Sequence, residues 1–320
     1  MTLTLQPPPR LQTPDFLAVA DLSPEELSQL LAYAAHLKAL RKARIAHPLL
    51  QGRSVALYFE KPSNRTRVSF EVGVADLGAH PFMLRKDEVN LGVRETIADT
   101  ARTLSRYVDG IMIRTFSHSD VEQLADYASV PVINGLTDAH HPCQILADLL
   151  TVRERFGELQ GLKLAFIGDG NNIAHSLLEG CALAGMRVAI ACPKTHAPLP
   201  EIVSRAQQLA SRTPGASVLV TDNLADAVEG AAAVYTDVWI SMGQEKETAE
   251  RRRIFEGYQV NESLMRGARP DAVVLHCLPA HRGEEISAET FEKHADVIFD
   301  EAENRLHAQK AVMAALMAPR

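Results

Sequence analysis

From Ser54 onward, short apolar runs of strand character alternate with longer stretches whose apolar residues recur every three to four positions. Residues 54–59, 110–114 and 130–133 form a first series of such runs, and residues 163–168, 187–191, 217–221, 232–237, 272–278 and 296–299 a second. A period that switches repeatedly between 2 and 3.6 marks βα units, which build parallel sheets covered by helices. The expected fold is therefore α/β, with two domains, each a doubly wound parallel β-sheet flanked by helices. A polar break at residues 156–161 separates the two series and puts the boundary near Leu150. Ahead of the first strand, Ser23-Pro24-Glu25-Glu26 combines an N-cap, a proline at the first helical position and a glutamate that can reach back, so a helix begins there. An alanine-rich stretch from about Glu303 predicts a closing helix.

Composition narrows the class. A chain of 320 residues exceeds one ordinary core and suits two domains, and 46% hydrophobic with 23% charged residues is the balance of a globular protein. No apolar run reaches the roughly 18 to 20 residues that cross a bilayer, and the proline-rich start lacks a basic segment followed by an apolar block. Cys143, Cys181, Cys192 and Cys277 show neither CxxC spacing nor disulfide density. The expected setting is cytoplasmic, with no membrane partner. A net charge of -7 argues against nucleic acid as a partner. It leaves anionic small molecules open, because screening confines a local cationic cluster to about 8 Å.

Candidate chemistry gathers where strands end. Ser63-Asn64-Arg65-Thr66-Arg67 follows a strand and opens a helix, so backbone N–H groups, hydroxyls and guanidiniums could converge on a phosphate; a capped helix with solvated arginines is the other reading. Arg114 closes an apolar strand, where parallel sheets border their ligand crevice, or else an edge arginine reaches solvent. His141 and Gln144 lie three apart on one helical face, while His140 suits a structural cap. Gly168-Asp169-Gly170 after a strand resembles the start of a dinucleotide fingerprint. However, Ile173 stands at the third glycine, and no acid ends the strand at Ala191-Cys192. Asn171 and Asn172 instead suit an amino-acid carboxylate. Asp237, near Trp239 and Ser241-Met242-Gly243, can hold an ammonium or cap a helix. Cys277 in His276-Cys277-Leu278-Pro279 is either an inert core thiol or part of a site, and no neighbouring base marks it as a covalent nucleophile. Arg305 can pair with Glu301 one turn back.

Four of these motifs in this order, Ser-Asn-Arg-Thr-Arg, His-Pro-Cys-Gln, Asp-Val-Trp-Ile-Ser-Met-Gly and His-Cys-Leu-Pro, resemble the ornithine carbamoyltransferases from about Asp15 to the last helix. The resemblance implies transfer of a carbamoyl group from carbamoyl phosphate to the side-chain amine of L-ornithine, giving L-citrulline and phosphate. It implies a carbamoyl-phosphate domain of residues 1–150 plus 303–320, the closing helix returning to it, and an ornithine domain of residues 151–302. Ser63, Asn64, Arg65, Thr66, Asn90, Arg114, His141, Gln144, Cys277, Leu278 and Arg305 are the implied carbamoyl-phosphate contacts, with Thr66, Arg114, His141 and Cys277 at the reacting atoms. Asn172, Asp237, Ser241 and Met242 are the implied ornithine contacts. Asn64 replaces the family's usual threonine, and Asn90 its usual glutamine or histidine. No metal or organic cofactor is implied. The implied assembly is a homotrimer with shared sites, Asn90 reaching into a neighbour. Putrescine carbamoyl transfer and a nicotinamide-dependent oxidoreductase are the alternatives.

Overall fold

The structure, a computed structural model, describes residues 3–241, 243 and 245–319. Two compact units divide the chain: Met1–Ala147 with Asn304–Arg320, and Asp148–Glu303.

The first unit carries a parallel sheet of β1 (Ser54–Phe59), β2 (His80–Arg85), β3 (Gly110–Arg114) and β4 (Val132–Leu136), in the order β2-β1-β3-β4. Its main helices are α1 (Pro24–Lys42), α2 (Asn64–Asp76), α3 (Ile97–Leu104), α4 (His118–Tyr127) and the start of α5 (Pro142–Phe156), with a single helical turn at Lys86–Val89. The capping box forms at α1: Ser23 Oγ accepts from Glu26 N at 3.2 Å, and Glu26 Oε2 accepts from Ser23 N at 2.8 Å. Central β1 and β3 bury Val55, Leu57, Ile111 and Ile113 completely, each such side chain contributing about 1.5–3 kcal/mol. After α2, Gly78 turns the chain at φ +79°, and a Cβ there would lie 2.8 Å from that of Pro48.

The second unit holds β5 (Lys163–Ile167), β6 (Arg187–Ala191), β7 (Ser217–Thr221), β8 (Ala233–Thr236) and β9 (Val273–His276), all parallel in the order β7-β6-β5-β8-β9. Its main helices are α6 (Asn172–Leu183), α7 (Pro200–Arg212), α8 (Thr248–Ile254) and the start of α9 (Ala295–Met317). From Ile173 to Leu183 every residue of α6 is buried, the pattern of a helix inside a core. The last part of α9, from Asn304, belongs to the first unit, so the closing helix does return to it.

Three sequence expectations need correction. Residues 296–299 are not a strand but the first turns of α9, where Val297 and Ile298 are buried while Phe299 is exposed. A four-residue apolar run does not separate strand from helix by period alone. The run at 130–133 pairs two residues later, as Val132–Leu136, because the sheet continues through Asn134 and Gly135. Strand β2, which no run predicted, is an edge strand with Phe82 exposed and little burial on either face.

In both sheets the chain winds to one side, then returns to start on the other side of its first strand. The reversal falls between β1 and β3 in one unit and between β5 and β8 in the other. Such switch points open a crevice at the carboxyl ends of the flanking strands.

Candidate active site

At the first switch point, β1 leads through Ser63 into α2, and β3 ends on Arg114. Ser63 is the N-cap of α2, accepting from Thr66 N at 3.3 Å, so the capped-helix reading of this segment holds as geometry. The cap does not exhaust the site. Thr66 Oγ1, fully buried, accepts from Arg114 Nη1 at 3.2 Å and from Arg305 Nη2 at 2.6 Å, and Ser63 Oγ donates to it at 3.1 Å. One hydroxyl thus gathers two guanidiniums distant in sequence. The Arg114 backbone is held in turn, its carbonyl accepting from Glu60 N at 2.9 Å.

Next to β4, His141 caps α5, its carbonyl accepting from Gln144 N at 3.1 Å. Gln144 is completely buried and His141 nearly so. Burial, then the charges of Arg305, Arg114 and Arg65, hold the His141 imidazole well below its ordinary pKa. It is therefore neutral near pH 7 and can donate one N–H without adding charge. Arg65 sits half-buried in the first turn of α2 with its Nε unpartnered among the described residues, so its guanidinium is not spent on the fold. Three guanidiniums, a neutral imidazole and the amino end of a 13-residue helix together suit an anion. Asn64 is exposed on the same turn.

Asn90 stands apart from this group. It ends a one-turn helix in the left-handed region, φ +47°, with its carbonyl accepting from Val93 N and Arg94 N. Asparagine tolerates that conformation better than glutamine. Among the described residues no hydrogen bond joins its side chain to the Thr66 group.

At the second switch point, β5 runs into Gly168-Asp169-Gly170-Asn171 and β8 into Asp237. Asp237 is buried, and its Oδ1 accepts from Val238 N at 2.8 Å and Cys277 Sγ at 3.0 Å, while Oδ2 accepts from Asn171 Nδ2 at 3.1 Å. Asn171 also caps α6 by accepting from Ile173 N and Ala174 N. The contact to Asp237 thus comes from Asn171, a residue the motif comparison passed over in favour of Asn172, the first residue of that helix. Burial, then the charge of Asp237, pushes the Cys277 thiol well above its ordinary pKa, which leaves it protonated and a poor nucleophile.

Cys277 and Leu278 belong to this second group. Leu278 adopts φ +60°, costly for a branched side chain. The conformation is braced by Leu278 N–H donating to His276 Nδ1 at 2.9 Å. A backbone N–H can only donate, so Nδ1 accepts and Nε2 carries the hydrogen directed at Glu285 Oε1, 3.0 Å away. Both partners are completely buried. Glu301, buried and with its carboxyl pushed above the usual range by desolvation, accepts from His276 N at 2.9 Å. No sequence pattern marks Glu285, and spacing along the chain offers Glu301 only as a partner for Arg305, because a buried acid leaves no periodic signal of a distant contact. Arg251 was also missed: its Nε donates to the Trp239 carbonyl at 2.6 Å and its other arm pairs with Asp169, fixing the loop after β8 to the loop after β5. Ser241 is half-buried in that loop, Gly243 takes φ +99°, and Met242 lies outside the described residues.

The glycine pair after β5 does not serve a dinucleotide. A Cβ at Gly170 would lie 2.3 Å from Pro198 N and 2.4 Å from the Ala197 carbonyl carbon, so the chain itself fills the space a pyrophosphate would need. Gly170 N donates to the His196 carbonyl at 2.8 Å, closing that approach.

Two clusters thus emerge, one gathering guanidiniums around a buried hydroxyl and one presenting a carboxylate beside amide and thiol groups. Comparison with known proteins agrees with that division. Residues 14–154 match the family model described as aspartate/ornithine carbamoyltransferase, carbamoyl-P binding domain, and residues 160–316 the model for its Asp/Orn binding domain. The ornithine carbamoyltransferase of Symbiobacterium thermophilum is 55% identical over 304 residues, 95% of this chain and 98% of that protein. Among solved structures, ornithine carbamoyltransferase from Pyrococcus furiosus superposes with a TM-score of 0.92 at 48% identity, covering 95% of this chain and 96% of that one. The Gloeobacter violaceus enzyme gives 0.86 at 48% identity, over 97% and 100%. The chain belongs to the aspartate/ornithine carbamoyltransferase family.

Proposed function

We propose that this carbamoyltransferase moves the carbamoyl group of carbamoyl phosphate to the side-chain amine of L-ornithine, releasing L-citrulline and phosphate in arginine metabolism. The observation that carries the donor half is the convergence of Arg114 and Arg305 on Thr66 Oγ1 beside a neutral His141. A dianionic donor would find Ser63, Asn64, Arg65 and the first N–H groups of α2 around its phosphate. The carbamoyl oxygen would take Thr66, Arg114 and His141, with Gln144 and Arg305 completing the set. As the amine adds, negative charge grows on that oxygen, and fixed donors stabilise it without reorganising.

The acceptor half rests on Asp237. Its carboxylate would receive the α-ammonium, with Asn172 near the α-carboxylate, Ser241 and Met242 lining the side chain, and the Cys277 thiol and the Leu278 carbonyl at the reacting end. A side-chain amine has a reference pKa near about 10.4, so the neutral form must be the one that attacks. The nitrogen lone pair forms the new C–N bond, the C–O bond to phosphate breaks, and the departing phosphate accepts the amine's proton. Holding two reactants in near-attack geometry can supply roughly 7–11 kcal/mol of the acceleration.

We also propose a cytoplasmic homotrimer with sites shared between subunits, Asn90 contributing to a neighbour's donor site. Among the described residues no helix is long and apolar enough to cross a membrane. The test of the reaction is product analysis with carbamoyl phosphate and ornithine, putrescine or acetylornithine in turn. Citrulline from ornithine, with little turnover of the others, is expected; preferred turnover of putrescine would overturn the acceptor assignment, because putrescine keeps an ammonium for Asp237 but has no α-carboxylate for Asn172.

A further inference from the structure

Arg305 reaches Thr66 from α9, so its placement depends on how α9 lies on α2. A single contact near one point would leave a helix free to slide or turn. Five residues further along α9, about 7.5 Å, Lys310 is completely buried, an unusual state for a lysine. Its Nζ donates to Asp76 Oδ2 at 3.1 Å, at the last residue of α2, and to His47 Nε2 at 3.0 Å. His47 Nδ1 faces the Ile45 carbonyl at 2.9 Å, so that nitrogen carries the hydrogen and Nε2 is the acceptor. Asp76 also pairs with Arg41 of α1. The two helices approach closely between the ends: a Cβ at Gly73 would lie 3.2 Å from Lys310 Cγ and 3.3 Å from Met313 Cε. One further tie, Lys38 Nζ to Asn304 Oδ1 at 2.7 Å, joins α1 to α9 beside Arg305.

We infer that Lys310, through Asp76 and His47, is a positioning residue for the donor site: it locks the register of α9 on α2 so that the Arg305 guanidinium meets Thr66. An apolar residue would fill the same space; the cation adds direction, because its donors reach two specific acceptors on two segments. The inference rests on the proposed role of Arg305 in holding carbamoyl phosphate, and it assigns Lys310 no contact with substrate. A misplacement on the order of 1 Å can cost about 100-fold in rate, and a tether five residues from Arg305 governs shifts of that size.

The test is a kinetic cycle on the full chain with Lys310→Met, Arg305→Ala and the double variant. Methionine keeps the unbranched stem, and Asp76 retains Arg41, so the fold should persist. Expected is a rise of about tenfold in the carbamoyl-phosphate KM of Lys310→Met, with the ornithine KM unchanged and no further rise when the substitution is added to Arg305→Ala. Asp76→Asn, altered at a half-buried residue on the opposite helix, should reproduce the rise if Lys310→Met does not fold. An unchanged donor KM in a folded Lys310→Met or Asp76→Asn, or the same factor appearing in the Arg305→Ala background, overturns the inference while leaving the donor site standing. An unchanged donor KM in Arg305→Ala alone would instead overturn the reading of the donor site, and this inference with it.

Discussion

Replacing Asp237 with asparagine removes one charge at almost constant shape, and the structure sets the size of the effect. A carboxylate offers about four acceptor positions; Val238 N, Cys277 Sγ and Asn171 Nδ2 occupy three of Asp237's among the described residues. One remains for an incoming ammonium. A hydrogen bond involving a charged group is worth about 1.5–3 kcal/mol net, so kcat/KM for ornithine should fall roughly 10- to 150-fold. The new amide nitrogen also meets the Asn171 amide donor to donor, a mismatch of about 1–3 kcal/mol that should lower the melting temperature by a few degrees. Steady-state citrulline formation at saturating carbamoyl phosphate, with the donor KM measured separately, reads the result. Unchanged ornithine kcat/KM in a folded variant, or an equal rise in the donor KM, would refute the acceptor role.

Gly170→Ala forces a methyl group to within 2.3 Å of Pro198 N, against backbone that cannot rotate away. Overpacking of this kind costs about 1–3 kcal/mol or more, and a thermal melt identical to the parent's would show that the segment yields freely. Because the folded state depresses the His141 pKa, its contribution is full above about pH 6.5 and declines as pH falls below that, where only the unfolded chain takes up the proton. The His141 ring resonance should accordingly show no titration step between about pH 7.5 and 5.5; a step there would mean that the donor site holds an imidazolium. Incubation with carbamoyl phosphate alone should leave the mass of the Cys277 peptide unchanged, since the thiol stays protonated, and a carbamoyl adduct there would reinstate covalent catalysis.

The repeating switch of period was enough to read the α/β class, and most strands begin within a residue or two of their apolar runs. Local pattern failed where tertiary context decides. Residues 296–299 are apolar for a strand or a helix turn alike, and only the burial of Val297 and Ile298 with Phe299 exposed distinguishes them. The site was legible to the extent that its residues stand near strand ends: Arg114 closes β3, and Thr66, His141 and Asp237 follow β1, β4 and β8. What stayed hidden were groups whose partners lie far along the chain, such as Glu285 and Glu301 around His276, or Lys310 against His47 and Asp76. Buried polar pairs are specified by three-dimensional proximity, and single-sequence spacing carries no trace of it.

Arg65 offers the most direct trial, because its Nε has no partner among the described residues and its loss should leave the fold intact. Calorimetric titration of carbamoyl phosphate into the parent and Arg65→Ala, without ornithine, should show binding weakened by roughly 10- to 150-fold at an unchanged melting temperature. Equal affinity in the two proteins would contradict the claim that the guanidiniums around Thr66 form the donor's phosphate site.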